Sequence, residues 1–324
     1  MLAVSPSRLA ATLAVPFALV ALLLLGAGCE SPATGRAPAD STARATADTA
    51  SDRTGYAAEM AEQHEGDRPT PSPAARMEPD TAVTGRPVTY GDSLTGYAAV
   101  PEYAADSSAG ADGHAGAEGS DPLPALIAVH EWWGLNDNIR TMARRLAGQG
   151  FRVLAVDLYG GRVAERPQRA QRLMQEATSD RQAIQDNVEA AYQHLAGAHA
   201  APQVGIIGWC FGGAVALGGM TSLPRSLDGA VIYYGSLENA TRERLRPVSM
   251  PVIGFFGAED ESIPTRQVRQ FEKTLRELGK DAEVYIYDDA GHAFANPSGE
   301  RYVARAAEDA WQKTTAFLEE HLQD

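Results

Sequence analysis

Cysteine is nearly absent from this 324-residue chain, which carries two, Cys29 and Cys210. One lies at the end of an apolar leader and the other deep in the body, so no structural disulfide is expected. Lysine is also scarce, at three residues against 25 arginines, and acids outnumber bases 42 to 28 for a net charge of −14. An acidic surface repels phosphates, which excludes a nucleic-acid partner. No Cys/His cluster has metal-ligand spacing and no glycine-rich loop is built to cradle a phosphate, so neither a metal nor a cofactor is expected. Internal repeats are lacking too.

The leader itself is informative. Arg8 precedes an apolar run from Leu9 through Leu25, followed by Gly26-Ala27-Gly28-Cys29. A basic residue, an apolar run and a small-residue site describe a secretory signal over residues 1–29. A small residue directly before a lone cysteine resembles a bacterial lipoprotein signal, although Gly26 stands where such signals prefer leucine. The readings rank as lipidation at Cys29, then cleaved secretion, then an uncleaved anchor, which Pro16 and the many glycines and alanines weaken. Each puts the protein outside the cytoplasm, touching a membrane only through this segment. Residues 30–85 follow, rich in Ala, Thr, Ser, Asp and Pro, with ten acids against five arginines and no apolar periodicity. Such a stretch is expected to be a disordered acidic tether, with a coil reach of about 40 Å.

Residues 86–324 suffice for one large domain, expected to be a monomer. A low-complexity Ala/Gly/Ser/Asp stretch at about 104–120 is expected to be a mobile surface insertion. Strands around Arg86–Tyr90 and Leu94–Val100 form a leading antiparallel pair, and strands then alternate with helices. Helix faces are marked by Ile139, Met142, Ala143 and Leu146, with Asp137 as cap and Gly150 as stop. Others are marked by Ile184, Val188, Ala191, Tyr192 and Leu195, by Val268, Phe271, Leu275 and Leu278, and by Val303, Ala306, Ala310, Phe317 and Leu318. The alternation predicts an α/β fold, a mostly parallel sheet covered by helices on both faces.

The chemistry is concentrated at predicted strand ends. Val204-Gly205-Ile206-Ile207-Gly208-Trp209-Cys210-Phe211-Gly212-Gly213 reads as a nucleophile elbow: a buried strand, a G-x-nucleophile-x-G turn and the start of a helix. A thiol there lies beside the positive end of a helix, which favours the attacking thiolate. A strand at Val252–Phe256 ends in Gly257-Ala258-Glu259-Asp260, and one at Glu283–Tyr287 leads to Gly291-His292. Nucleophile, acid and histidine thus occur in hydrolase order at the sheet edge where ligands bind. Glu259 and Asp260 are rival acids. The plain alternatives are a small buried cysteine, a helix cap and a loop histidine, and it is their joint occurrence that favours chemistry. Earlier, the strand Leu126–Val129 runs into His130-Glu131-Trp132-Trp133-Gly134-Leu135-Asn136. Its loop assigns an oxyanion hole to the amides of Trp132 and Phe211, puts Glu131 within reach of the thiol, and lines the site with both tryptophans.

These segments, together with Val156-Asp157-Leu158-Tyr159-Gly160-Gly161 and Gly291-His292-Ala293-Phe294, resemble the dienelactone hydrolase family over roughly residues 86–324. The resemblance implies an α/β-hydrolase fold and a triad of Cys210, His292 and Asp260, choosing Asp260 over Glu259. It also implies that Glu131 holds the thiol at rest until substrate displaces it. Trp133, Arg162, Phe294 and Asn296 fall at substrate-binding positions. The family's type enzymes hold a substrate carboxylate with two arginines, and here Gly161 and Asn296 stand at those positions, with Arg162 one residue late. Asparagine cannot replace a guanidinium fork. The expected activity is therefore hydrolysis of a small-molecule ester or lactone through a thioester, with dienelactone itself disfavoured. A non-catalytic binding module on the same scaffold is the alternative, and a thiol redox protein centred on Cys210 a weaker third.

Overall fold

The computed structural model describes residues 60–62, 64–65, 69, 76–105 and 122–323. Cys29, its leader and almost all of the insertion lie outside them.

Eight strands form one sheet: β1 (Val83–Tyr90), β2 (Leu94–Pro101), β3 (Ala125–Val129), β4 (Arg152–Val156), β5 (Val204–Trp209), β6 (Gly229–Tyr233), β7 (Val252–Gly257) and β8 (Ala282–Tyr287). Their order across the sheet is β1-β2-β4-β3-β5-β6-β7-β8. The first two strands pair antiparallel, β2 joins β4 antiparallel, and every later pairing is parallel. Strands β3, β5, β6 and β7 are buried at every position. Because successive side chains point to opposite faces, burial at every position means that both faces are covered. This is the expected mostly parallel, doubly covered α/β sheet.

The long helices are α1 (Asp137–Gly148), α2 (Pro167–Ser179), α3 (Arg181–Gln193), α4 (Phe211–Ser222), α6 (Thr265–Glu277) and α7 (Ala304–Leu322), with a short α5 at Arg242–Leu245. Helix α1 buries the expected stripe of Ile139, Met142, Ala143 and Leu146. Its cap differs from expectation by one residue. Asn136 lies in extended backbone and accepts from the Ile139 N–H at 3.2 Å, so Asp137 becomes the first helical residue. Both residue types can cap, and the backbone conformation decides between neighbours. Helix α4 is apolar nearly throughout, as suits a helix packed behind the sheet centre against β5 and β6.

The N-terminal boundary is also corrected. Strand β1 begins at Val83, inside the range read as tether. Upstream, Met60 and His64 are buried, joined by a helical turn in which the His64 N–H donates to the Met60 carbonyl at 3.0 Å. This piece of the presumed tether belongs to the packed body.

Candidate active site

Parallel register brings the carboxyl ends of β3, β5, β6, β7 and β8 to one edge, and the candidate residues follow directly from those ends. Between β5 and α4, Cys210 adopts φ 54° and ψ −117°. A non-glycine residue in this region carries strain of about 1–3 kcal/mol that its surroundings must hold. The Cys210 N–H donates to the Tyr233 carbonyl on β6 at 3.0 Å. On either side the chain passes too close for any side chain. A Cβ on Gly208 would run into the Gly212 carbonyl, and one on Gly212 into the Val129 carbonyl of β3. The flanking glycines let the turn fold this tightly.

His292 lies in the loop after β8, and its Nδ1 donates to Asp260 Oδ2 at 2.7 Å with both side chains buried. The other Asp260 oxygen accepts from the Ser262 N–H at 2.9 Å, the Ser262 hydroxyl at 2.7 Å and the Ile263 N–H at 3.0 Å. Burial alone would raise the Asp260 carboxyl. The charge of His292 and these hydrogen bonds outweigh burial and hold it below the usual carboxylate range. Burial likewise pulls His292 down, but the Asp260 carboxylate first, then the Cys210 sulfur, lift it to about 10. Its buried Nε2 makes no hydrogen bond, and Cys210 lies near enough for its sulfur to raise the ring.

Glu131 leaves β3 into the tight turn in which the Gly134 N–H returns to the Glu131 carbonyl at 3.1 Å. Its carboxyl is 3% exposed and is pushed up to about 7 by burial, against the opposing effects of His292, Tyr234 and Asn296. The Tyr234 hydroxyl approaches Oε1 at 3.4 Å, and the Asn296 amide donates to Oε2. Phe211 is the first residue of α4, so its N–H lacks an intrahelical acceptor. Trp132, the other proposed oxyanion donor, lies within the turn that Glu131 opens.

Cys210, His292, Asp260 and Glu131 therefore lie together at this edge of the sheet. Trp133 packs edge-on against Trp132 at 5.0 Å and lines this region. Three other positions behave differently from expectation. Phe294 is fully buried, edge-on to Tyr234 at 5.4 Å and tilted against Tyr287 at 5.1 Å, and so belongs to the core. Asn296 is buried and committed within the protein, donating to Glu131 and accepting from Asn138 at 3.2 Å and the Ser298 N–H at 2.8 Å. Arg162 turns to the surface, where it pairs with Glu176 at 2.5 Å and donates to the Tyr159 carbonyl at 2.7 Å.

The structure adds residues that sequence reasoning left unassigned. The ring of Tyr234, which follows β6, packs 5.3 Å from that of His292. Tyr159 stacks on Phe211 at 5.9 Å, with a buried hydroxyl that has no partner. His130 links two loops, with Nδ1 donating to the Glu131 carbonyl at 2.6 Å and Nε2 accepting from the Leu158 N–H at 3.1 Å. That pattern fixes a neutral ring, in accord with a pKa lowered by burial. Among the described residues no group of three or more His, Cys, Asp or Glu side chains is arranged to hold a metal ion.

The profile of the dienelactone hydrolase family matches residues 112–322. The chain belongs to the dienelactone hydrolase family. A Yersinia pestis protein, named provisionally as a carboxymethylenebutenolidase, is 31% identical over 247 residues, covering 72% of this chain and 86% of that one. Protein usf of Aquifex pyrophilus is 31% identical over 209 residues, covering 61% and 89%. Among solved structures, a Klebsiella pneumoniae protein titled, again provisionally, as a dienelactone hydrolase superposes with a TM-score of 0.61 at 27% identity. That match covers 74% of this chain and all of the other. As a dienelactone hydrolase family member the protein is a hydrolase with the α/β-hydrolase fold. No helix among the described residues is long and apolar enough to cross a membrane.

Proposed function

We propose that this protein hydrolyses a small-molecule ester or lactone through covalent catalysis by Cys210. The observation that carries the reading is the buried Asp260–His292 pair at 2.7 Å, beside a cysteine that sits on a strained elbow and raises the imidazole. Cys210 gives its thiol proton to His292 Nε2, its sulfur attacks the carbonyl carbon, and the carbonyl oxygen gains negative charge between the Phe211 and Trp132 amides. The tetrahedral adduct collapses, the C–O bond to the alcohol breaks, and the leaving oxygen takes the proton from His292 Nε2. That leaves a thioester on Cys210 and a neutral imidazole. His292 then takes a proton from water, the resulting hydroxide adds to the thioester, and the acid departs with the Cys210 sulfur restored. Asp260 fixes the tautomer by accepting from Nδ1. Cys210→Ala or His292→Ala should lower turnover of a small aryl ester by about 10³-fold or more. Unchanged turnover in either variant would refute the assignment.

The substrate's carbonyl side is neutral in this reading. Asn296 is engaged with Glu131, and Arg162 faces Glu176 on the surface, so neither serves as a carboxylate anchor. Location is part of the same proposal: Cys29 carries the lipid of an extracytoplasmic lipoprotein. Its test is fractionation, in which Cys29→Ser should move the protein from the membrane to the soluble fraction.

A further inference from the structure

Cys210, Glu131, Trp132 and His292 are each no more than 3% exposed, so the candidate active site is closed to solvent. Much of what closes it is contributed from far away in the sequence. The His64 ring lies 4.5 Å from Trp132, 6.1 Å from Trp133 and 5.9 Å from His292, the last edge-on. It fills the space between the two tryptophans and the histidine that must reach the substrate. Met60, one helical turn earlier, is fully buried in the core, so the turn is anchored at both ends. On its other side His64 Nδ1 accepts from the Arg301 guanidinium at 2.8 Å, which ties the turn to the loop before α7. Met60 and His64 both lie outside the region matched to the dienelactone hydrolase family.

We infer that the turn carrying Met60 and His64 is an intramolecular strap that occupies the substrate's place over Cys210 and must leave for a substrate to enter. The inference adds a control to the hydrolase reading and rests on it for the meaning of substrate. A substrate acyl group has to approach the Cys210 sulfur beside Trp132 and His292, the residues against which His64 packs. Both cannot be present together. Opening then competes with the packing of Met60 and the Arg301–His64 hydrogen bond, so the fraction of molecules with an open strap scales the apparent rate of every reaction at Cys210.

The test uses the full-length chain with Cys29→Ser, which leaves Cys210 as its only thiol. Alkylation of Cys210 by iodoacetamide, followed by intact mass, reads access without requiring ester turnover. Hydrolysis of p-nitrophenyl acetate reads the reaction. If the open fraction is about a tenth or less, Met60→Ala/His64→Ala should speed alkylation about tenfold or more and raise kcat/KM for the ester in proportion. Arg301→Ala, which loosens the strap from outside the core, should act in the same direction with a smaller gain, and it decides the matter if the double variant does not fold. Equal or slower alkylation in the folded variants overturns the strap. Faster alkylation with no ester turnover in any protein leaves the strap standing and removes the hydrolase reading instead.

Discussion

The loop after β3 and the loop after β7 each place a buried carboxylate near His292, and their surroundings drive the two groups in opposite directions. Asp260 receives three hydrogen bonds on one oxygen and the imidazole on the other, and stays ionised below the usual range. Glu131 has one tyrosine hydroxyl and one asparagine amide, and burial prevails, lifting it to about 7. Both are nearly inaccessible. At Asp260 the charge of the directly bonded imidazole, then the hydrogen bonds, outweigh burial; at Glu131 burial outweighs them. Asp260 is thereby a fixed charge beside His292, and Glu131 a group that can gain or lose its proton near neutrality.

Asp260→Asn would break the comparison most severely. Losing the acceptor that sets the imidazole's orientation and tautomer should cost about 10³-fold or more in kcat, by analogy with triads whose aspartate is amidated. The carboxylate also raises His292, so the alkaline limb of the kcat/KM profile should move to lower pH. A variant within tenfold of wild type would show that His292 works without its partner.

Glu131→Gln tests the other side through stability. A group whose folded pKa is raised contributes stability that is fully present below its unfolded value and is lost as pH rises through the folded one. For Glu131 that window runs from 4.5 to about 7. Glutamine does not ionise, so the Tm of the variant relative to wild type should rise across this window and level off above it. A difference that is flat with pH would mean Glu131 ionises as freely in the fold as in water. The smallest effect is expected for Arg162→Ala, because an exposed ion pair contributes at most about 1 kcal/mol. Its kcat/KM on a neutral ester should stay within about twofold of wild type. A selective loss on a carboxylate-bearing lactone would return Arg162 to substrate recognition.

The site's principal groups were legible in the sequence because each follows an apolar strand directly. Gly208 to Gly212 around Cys210 and His292 after β8 are marked by local pattern, which narrowed the acid after β7 to Glu259 or Asp260, and the family resemblance chose Asp260. Contacts that depend on distant partners were not legible. Asn296 reaches Glu131 across 165 positions, and the family resemblance set it where an arginine would hold substrate. Tyr159 and Tyr234 look like ordinary aromatic residues at strand ends until the fold sets them against Phe211 and His292. Met60 and His64 were hidden by composition. One methionine and one histidine in a polar, acidic stretch bear no periodicity, yet two well-placed side chains suffice to close a pocket.

The elbow has a consequence for which atom does the attacking. The backbone of Cys210 is held by the Tyr233 carbonyl and by the close passage of Gly208 and Gly212 against their neighbours, and none of these contacts involves sulfur. A hydroxyl in place of the thiol would sit on the same unaltered frame, facing the same imidazole. The scaffold thus specifies through the main chain alone where an attacking atom stands, whichever element that atom is.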